Sequence, residues 1–373
     1  MSAEAHQVIA RRNGAIEVAS RSTAAPGPGE LLLAPTTAGL CGTDIQILRG
    51  LRDDPATVLG HEGIATIVAV GEGVDPDLAP ATTVVVNPTH PSDPSFLLGH
   101  NVDGLWSQRT LLPRRAVAAG LVVPLNLGGD DQLAALLEPL ASVLYGLDIL
   151  QTPDLDTVVV WGDGTVGHLA VRTARRRWPD ATIVHVHHSA PGVDWSWTHD
   201  SPADLVLETA GSSAAALRAF LRAHCGDVVA AVLATPRDAT LAAFDLLTRS
   251  VPARLSVDLH AGLPSGPLPT GVGELDLAEI RAANAGGTPH EPHTRTLPRP
   301  AMAPIRISGH RGVSNAHLHR AAAALLAGRD TYAPLVTHRY DLAGSAQVMR
   351  HLATSPDRTI DGHRLIKLAV EVG

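Results

Sequence analysis

Cysteine is nearly absent from this sequence of 373 residues, which contains only Cys41 and Cys225. Two cysteines predict no disulfide framework, and this scarcity is typical of proteins from a reducing compartment. Long hydrophobic runs are also lacking, because no uninterrupted apolar stretch reaches the roughly 18 residues of a membrane span. The first residues, MSAEAHQVIARR, lack the apolar core of a signal peptide. We therefore expect a cytoplasmic protein.

Basic side chains are scarcer than acidic ones, with 29 lysines and arginines against 37 aspartates and glutamates and a formal net charge of −8. No basic run interleaved with aromatic residues occurs, which argues against a nucleic-acid surface. Lys367 is the only lysine, and we interpret this as a compositional bias rather than a functional feature. An apolar fraction of 45% supplies a large core, and the length favours two domains over one.

A strand, a glycine-rich turn and a helix follow one another in the sequence TVVVWGDGTVGHLAVRTARRR, residues 157–177. The β-branched run Val158–Val160 predicts a buried strand of a parallel sheet, and Val166–Arg177 has a helical pattern. Glycines in a G-x-G-x-x-G frame permit a tight turn, a close approach to a pyrophosphate and close packing of helix on strand. This context favours a dinucleotide site over a plain glycine-rich turn, formed by Gly162, Gly164, Thr165, Val166 and Gly167.

The next predicted strand, residues 181–186, is followed by His187 and His188. NAD-binding folds of this type place an acidic residue here to hold the ribose 2′-hydroxyl group. Neither histidine repels a 2′-phosphate, and an imidazolium would attract one. We expect both histidines to contact the cofactor and NADP to be accepted at least as well as NAD.

The short segment 187–202 separates this strand from the next predicted one, residues 203–208. It contains prolines and a glycine and shows no helical periodicity, so we expect a Rossmann-type sheet without its third strand and a neighbouring helix. Trp195 and Trp197 would face the same way in an extended segment, where they would cover the sheet edge or stack on an adenine ring. Residues 262–304 are rich in proline and glycine and predict a long mobile loop, an active-site flap or a subunit contact.

Several further segments follow one another along the chain: PGPGELLL, GLCGTDIQILRG, LGHEGIATIVAVGEGV, DGLWSQRTLLP, LLEPLASVLYGLDIL and LVTHRYDLAGSAQVM. Together with the glycine turn, they resemble the medium-chain dehydrogenase/reductase superfamily, in its branch of zinc-dependent alcohol and polyol dehydrogenases. The resemblance implies an α/β fold in which a Rossmann-type parallel sheet is inserted into a partly β-barrel-like, GroES-like catalytic domain. The implied catalytic domain is residues 1–151 completed by 313–373, and the implied dinucleotide-binding domain is residues 152–312.

The same resemblance implies a catalytic zinc ion held by Cys41, His61 and Glu138, with Glu62 as an alternate or neighbouring carboxylate. Sulfur, nitrogen and oxygen donors together suit Zn²⁺ with one open coordination position. Taken singly, the same residues are typical of a small buried side chain, a core histidine and a charge on a helix surface.

Two residues of the family pattern lie close to Cys41. The resemblance implies that Asp44 orients the ligating histidine and that Thr43 takes the proton of the alcohol, with Glu62 as another exit for that proton. In the family, a histidine often continues this proton route, but Gln46 stands at that position here and cannot titrate. The sequence therefore does not identify the residues that carry the proton beyond Thr43. No cysteine occurs between residues 87 and 103, which excludes the four-cysteine structural zinc of many relatives.

We expect a zinc-dependent oxidoreductase that moves a hydride between a secondary alcohol and NAD(P) and that forms a homo-oligomer, either a dimer or a tetramer. The family pattern around Glu138 favours a polyol, a sugar or a cyclitol as the substrate. Two alternatives stay open: a zinc-free quinone or enoyl reductase of the same superfamily, and a degenerate dehydrogenase fold that only binds. Metal content distinguishes the zinc-dependent oxidoreductase from the zinc-free reductase. Turnover of NAD(P)H distinguishes both enzymes from a protein that only binds.

Overall fold

The protein consists of two compact units. The computed structural model describes residues 5–12, 14–129 and 131–373. The first unit combines Met1–Glu138 with Ser314–Gly373, and the second unit is Pro139–Val313. The divisions therefore follow Glu138 and Val313, where the family resemblance placed boundaries after residues 151 and 312.

The N-terminal part of the first unit consists mainly of strands. Its elements are β1 (Ala5–Arg12), β2 (Ala15–Ser22), β3 (Leu31–Gly39), α1 (Gly42–Leu48), β4 (Gly63–Val70), β5 (Thr83–Val86), β6 (Thr110–Leu112), α2 (Arg114–Ala118) and β7 (Val122–Pro124). A 3₁₀ turn, Asp131–Leu133, then leads into the long helix α3 (Ala134–Leu150). Residues Asp131–Leu150 are long and apolar enough to cross a membrane, but 78% of the apolar window is buried inside the protein, as in the core helix of a soluble protein.

Strands and helices alternate in the second unit. Its elements are β8 (Thr157–Trp161), α4 (Thr165–Arg177), β9 (Thr182–His187), α5 (Ala190–Thr198), β10 (Leu205–Glu208), α6 (Ala214–His224), β11 (Val228–Leu233), α7 (Thr240–Ser250), β12 (Arg254–Leu259), β13 (Leu268–Thr270), β14 (Gly273–Leu275), α8 (Leu277–Ala282), β15 (Arg295–Arg299) and β16 (Met302–Gly309). The chain then returns to the first unit with α9 (Asn315–Ala327), α10 (Arg329–Tyr332), a 3₁₀ turn (Ala333–Leu335), β17 (Val336–Asp341), α11 (Leu342–Thr354), β18 (Thr359–Ile360), β19 (His363–Arg364) and β20 (Lys367–Glu371).

The main sheet of the first unit joins the early and late parts of the sequence. Its strands lie in the order β17-β20-β3-β4-β5-β7, and β6 also pairs with β3. The first six side chains of β3 alternate between buried and half-buried positions, as they do in a sheet with one face on a hydrophobic core, and the last three residues are all buried. Because β20 and β4 flank β3 on either side, segments from three distant parts of the sequence meet at one end of β3.

The sheet of the second unit has the order β10-β9-β8-β11-β12-β16-β15. Its first six strands are parallel, and β15 is antiparallel. Every residue of β8 and β11 is buried, because helices cover both faces of such a sheet. The six parallel strands follow the spatial order 3-2-1-4-5-6 of a complete doubly wound fold.

The prediction that the third strand is missing is wrong. That strand is β10 (Leu205–Glu208), which pairs in parallel with β9 and which the sequence-based interpretation took for the fourth strand. A helix, α5, also precedes it and is nine residues long. Pro191 suggested a loop, but it lies in the first turn of α5, where a missing amide hydrogen breaks no bond within the helix.

The prediction that Trp195 and Trp197 face the same way is also wrong. Both lie in α5, where residues two positions apart point to different sides. Trp195 is 6% exposed and stacks on His199 with ring centroids 4.3 Å apart, whereas Trp197 is 58% exposed. The first indole therefore fills the space beneath a short helix, and the second lies on the surface.

Residues 262–304 contain β13, β14, α8 and β15, so the prediction of a long loop without regular structure is wrong. Asn284, which is fully buried, donates to the carbonyl groups of His293 and Gly309 and accepts from the His293 amide. Short strands and a buried polar side chain order this segment, and neither produces a hydrophobic period that a sequence pattern reveals.

Candidate active site

The ends of two strands bring three predicted site residues together in the first unit. Antiparallel pairing aligns Ala38 near the end of β3 with Gly63 at the start of β4. Cys41 follows β3, while His61 and Glu62 precede β4. Their ligand atoms all lie within 4.8 Å of one another, so the register of one strand pair builds this group.

Asp44 connects the turn that carries Cys41 to the ring of His61. It lies in the first turn of α1, and its Oδ2 accepts a hydrogen bond from the Cys41 amide at 2.9 Å. Its Oδ1 lies 3.6 Å from Nδ1 of His61, and neither of these buried atoms has a hydrogen-bond partner in the described part of the chain. A hydrogen bond between a carboxylate and an imidazole nitrogen is the contact that commonly orients a metal-ligating histidine, and these two atoms lie just beyond its length.

Burial and neighbouring charges shift the pKa values at this site. Burial alone would lower the pKa of His61, but Asp44, Cys41 and Glu62 outweigh it and raise that pKa to about 10. Burial raises the pKa of Asp44 to about 6 in spite of the attraction of His61. Burial, followed by the charge of Glu62, raises the pKa of the Cys41 thiol. Protons held on His61 and Cys41 are those that a bound metal ion displaces.

The donor atoms of this group fit zinc. Thiolate sulfur, imidazole nitrogen and carboxylate oxygen are the ligands of four-coordinate Zn²⁺ sites. Glu138, the third ligand that the family resemblance implies, is half-buried in α3 and is not among the side chains that the described structure groups with Cys41 and His61. The carboxylate in the group is that of Glu62, and a ligand role for Glu138 stays a prediction.

Glu62 is paired with a cation that sequence reasoning missed. The ammonium group of Lys367 donates to Oε2 of Glu62 and, at 3.1 Å, to the carbonyl oxygen of Leu40. The Lys367 and Glu62 side chains are only 1% and 3% exposed. The single lysine of the sequence therefore has a structural role next to the predicted ligands, which the sequence analysis did not assign to it.

His100 is a second neighbour that no motif revealed. Its ring centroid lies 4.8 Å from that of His61, and its Nδ1 lies 3.3 Å from the carboxylate of Asp54. Burial and the positive charge of His61 lower the pKa of His100 to about 3. A neutral imidazole from the loop between β5 and β6 therefore lies against the predicted ligand.

Both positions of the predicted proton route lie on α1. Thr43 and Gln46 are three residues apart and half-buried, and side chains at this spacing share one side of a helix. Thr43 offers a hydroxyl group that can accept and donate a proton, whereas the amide of Gln46 cannot titrate.

In the second unit, the glycine turn has the backbone geometry that its sequence predicts. Gly162 has a φ of 129°, a backbone conformation that residues other than glycine rarely adopt. A Cβ at Gly167 would lie 1.8 Å from the carbonyl oxygen of Gly162, so only glycine allows α4 to approach the turn this closely. Gly164 is the N-cap of α4, and Thr165 and Val166 form the first turn of that helix, the end of an α-helix that binds phosphate groups in dinucleotide sites.

The two histidines expected to contact the cofactor differ in exposure. His187 is fully buried, with Nε2 at 3.2 Å from the hydroxyl of Ser196 and Nδ1 at 3.7 Å from the carboxylate of Asp163. His188 is exposed. Of the two side chains, that of His188 is therefore the one open to a ligand.

Comparisons with known proteins agree with this geometry. Residues 27–120 match the alcohol dehydrogenase GroES-like domain. Glucose 1-dehydrogenase of Thermoproteus tenax is 30% identical to this chain over 273 residues, which cover 67% of this chain and 73% of that protein.

Two solved structures have the same fold along nearly the whole chain. The alcohol dehydrogenase rspB from Escherichia coli CFT073, complexed with NADH, has a TM-score of 0.72 and 18% identity, and the match covers 99% of this chain and 100% of that one. Galactitol-1-phosphate dehydrogenase from Escherichia coli has a TM-score of 0.70 and 19% identity, with coverage of 99% and 100%. With the donor group and the glycine turn described above, these findings show that the chain belongs to the medium-chain dehydrogenase/reductase superfamily and is one of its alcohol or polyol dehydrogenases.

Proposed function

We propose that this enzyme oxidises a secondary alcohol group of a polyol, a sugar or a cyclitol, or reduces the corresponding ketone, with NAD(P) as the redox partner. The observation that carries the proposal is the group of Cys41, His61 and Glu62, whose donors suit a catalytic zinc ion. The names of two similar proteins, glucose 1-dehydrogenase and galactitol-1-phosphate dehydrogenase, support a polyhydroxylated substrate.

One catalytic zinc ion would be held by Cys41, His61 and a carboxylate, either Glu62 or Glu138. Bound zinc would supply Lewis-acid activation of the substrate oxygen, and a bound nicotinamide would supply the two-electron chemistry. The sequence has no further cysteines near the site for a four-cysteine structural zinc.

The remaining side chains of the site move and hold protons. Asp44 positions the ring of His61 through the approach of Oδ1 to Nδ1. The Thr43 hydroxyl takes the proton that the substrate hydroxyl loses and passes it towards solvent. Because Gln46 cannot continue this route, the carboxylate of Glu62, which lies in the group of Cys41 and His61, is the alternative acceptor of the proton.

In the second unit, the turn Gly162–Gly167 and the first amides of α4 would bind the cofactor pyrophosphate. The exposed His188 would face the adenosine ribose, and buried His187 would support the end of β9. The absence of an acidic side chain at these two positions favours NADP as much as NAD. Stacking of an indole on adenine, if it occurs, would use the exposed Trp197.

The surroundings of the enzyme follow from the same family assignment. We infer a small-molecule substrate, a cytoplasmic location and a homo-oligomer of two or four chains, without a nucleic-acid or membrane partner. The complete strand order of the second unit removes the main argument for a degenerate, non-catalytic fold.

The test is an assay of a panel of polyols, sugars and cyclitols with NAD and with NADP, combined with elemental analysis of the same preparation. We expect turnover of at least one secondary alcohol and zinc bound at the Cys41 site. Cys41→Ala is expected to lose that zinc and the activity. Thr43→Val is expected to keep the zinc while kcat falls by roughly 10²–10⁴-fold.

Cys225→Ala is the matched control, because Cys225 lies in the second unit, where burial raises the pKa of its thiol to about 12. This variant is expected to keep both zinc and turnover. Activity that survives complete removal of metal would support a zinc-free reductase instead. Absence of turnover with every class of alcohol and both cofactors would contradict the proposed substrate class.

A further inference from the structure

Three side chains with metal-ligand chemistry lie together in the second unit, and none of them is among the residues assigned to catalysis. Asp258 is in β12, His260 follows that strand, and His310 follows β16. Parallel pairing of β12 with β16 aligns Leu259 with Gly309, so the three side chains meet at the carboxyl ends of two neighbouring strands. No sequence motif marks them, because His260 and His310 are neighbours only through this pairing.

The spacing of the donor atoms fits a metal ion. Ligand atoms of all three residues lie within 4.8 Å of one another. The distance from Asp258 Oδ2 to His260 Nδ1 is 3.3 Å, which equals the edge of a tetrahedron with metal–ligand bonds of about 2.0–2.1 Å. Asp258 is fully buried, His310 is 2% exposed and the side chain of His260 is 9% exposed.

Two ligand atoms of this cluster are buried and have no hydrogen-bond partner among the described residues. Nδ1 of His310 lies 3.1 Å from the carbonyl oxygen of Gly312 and must donate to it, because a carbonyl only accepts. The lone pair of His310 is therefore on Nε2, which has no hydrogen-bond partner within the described residues, and Oδ1 of Asp258 has none either. Buried acceptors left in this state are costly, and a metal ion would use both.

The surroundings of the cluster resemble the outer shell of a metal site. Nε2 of His260 lies 3.2 Å from the hydroxyl of Ser142 in α3, and His310 bonds a backbone carbonyl through its other nitrogen. A ligating histidine commonly gives its second nitrogen to such a group, which fixes the ring.

Gly146 of α3 leaves room beside these donors. A Cβ at this position would lie 2.6 Å from Oδ2 of Asp258 and 3.6 Å from Nε2 of His310. The absent side chain therefore preserves the space next to a carboxylate oxygen of Asp258 and Nε2 of His310.

From these contacts we propose that Asp258, His260 and His310 form a second zinc site, independent of the Cys41 site. Two imidazole nitrogens and one carboxylate oxygen supply three ligands and leave one position for water. The ion connects the ends of β12 and β16 next to α3, so it stabilises the second unit. This inference does not depend on the identity of the substrate or on turnover.

The experiment titrates metal-stripped full-length protein with Zn²⁺ and measures the tightly bound metal after desalting. We expect about two zinc ions per chain for the unmodified protein, and about one for His310→Gln and for Cys41→Ala. The double variant Cys41→Ala/His310→Gln is expected to bind none. His290→Gln, which alters an exposed histidine of the same unit, is the matched control and is expected to keep both ions.

Cobalt distinguishes the two sites without an activity measurement. Co²⁺ bound beside Cys41 shows a thiolate charge-transfer band, whereas Co²⁺ in the second unit shows only ligand-field bands of nitrogen and oxygen coordination. In the Cys41→Ala background, we expect one cobalt ion without the thiolate band, and its loss in Asp258→Asn, a second variant that keeps the size of the side chain.

The Cys41→Ala variant also allows the effect of the second zinc site on thermal stability to be measured. Zn²⁺ is expected to raise the thermal midpoint of Cys41→Ala protein but not that of Cys41→Ala/His310→Gln. A Cys41→Ala protein that binds no metal and shows no such shift would overturn the proposal and leave Asp258 and His260 as a buried ion pair. Loss of turnover with intact metal binding in the second unit would count against the proposed function and not against this site.

Discussion

Glu62 and Lys367 form an ion pair that is almost completely removed from water. Isolated buried charges are expensive, and such a pair is tolerated because each ion satisfies the other. Here the pair also keeps a carboxylate next to Cys41 and His61 in a defined position. The Glu62–Lys367 pair therefore contributes both to the stability of the first unit and to the position of the carboxylate beside Cys41 and His61.

Lys367→Met is predicted to lower the free energy of unfolding by about 3–5 kcal/mol, because it leaves the Glu62 charge buried without a partner. Urea denaturation measures this loss. The double variant Lys367→Met/Glu62→Gln is expected to recover most of it, since neither charge is then present.

A surface pair provides the comparison for this experiment. Arg339 and Glu371 also form a salt bridge, but their side chains are 51% and 50% exposed. Arg339→Met is therefore expected to cost less than about 1 kcal/mol. Equal effects of the Lys367 and Arg339 substitutions would contradict the assigned role of burial.

At the scale of elements, the contact between α4 and the glycine turn depends on the absence of one methyl group. Gly167→Ala is predicted to destabilise the second unit by about 1–3 kcal/mol through overpacking, because the new Cβ would meet the carbonyl oxygen of Gly162 at 1.8 Å. Thermal unfolding followed by circular dichroism measures the change. Gly262→Ala, where a Cβ meets no atom closer than 4.0 Å, is expected to stay within about 0.5 kcal/mol.

A core of histidines connects β9 to α4. His185 is fully buried, donates from Nε2 to the carbonyl of Gly162 at 2.9 Å, and has its ring centroid 4.0 Å from that of His187 and 5.0 Å from that of His168. Burial, assisted by the charge of His187, lowers the pKa of His185 to about 3. The folded protein therefore keeps this ring neutral in a range where the unfolded chain protonates it.

This difference predicts a pH dependence of stability. Above the unfolded pKa of about 6.5 the ring is neutral in both states, so its contribution is constant. Below that pH the unfolded state binds an extra proton, and stability falls by up to about 1.4 kcal/mol per pH unit. His185→Gln is expected to show a shallower loss of stability than the unmodified protein between about pH 6.5 and pH 5. His188→Gln, at the exposed neighbour, is expected to keep the original slope, and identical slopes for all three proteins would refute the assignment.

At the scale of the whole molecule, cofactor binding is linked to folding. A nicotinamide dinucleotide at a hundredfold excess over its Kd is predicted to raise the free energy of unfolding by about 2.7 kcal/mol. Amide hydrogen exchange is expected to slow at Gly162–Gly167 and the start of α4, the proposed binding site of the cofactor phosphates. The preference between NAD and NADP is a separate prediction, and calorimetric titration with each cofactor measures the two dissociation constants. His188→Glu is expected to weaken the binding of NADP more than that of NAD, because it adds a negative charge at the proposed position of the 2′-phosphate. A preference of the unmodified protein for NAD of more than about tenfold would contradict the interpretation of this position.

Local patterns in the sequence determined much of the architecture. The positive φ of Gly162, the close approach at Gly167 and the buried runs of β8 and β11 depend on residues close together in the chain, so pattern and turn chemistry suffice to predict them. The segments that carry Cys41 and His61 were predicted from the family resemblance instead, and the pairing of β3 with β4 brings them together. The sequence therefore determined the glycine turn and its neighbouring strands from local pattern, and the class of fold and the candidate site from family motifs.

Tertiary structure alone decided the features whose causes lie far apart in the chain. Helix α5 has little periodicity of its own and depends on the burial of Trp195, so β10 could not be recognised as the third strand from its sequence. Lys367 reaches Glu62 only because β20 pairs with β3, and His310 reaches Asp258 only because β16 pairs with β12. Pairing between strands that are distant in the sequence is set by the burial of whole sheet faces, which no local pattern of side chains encodes.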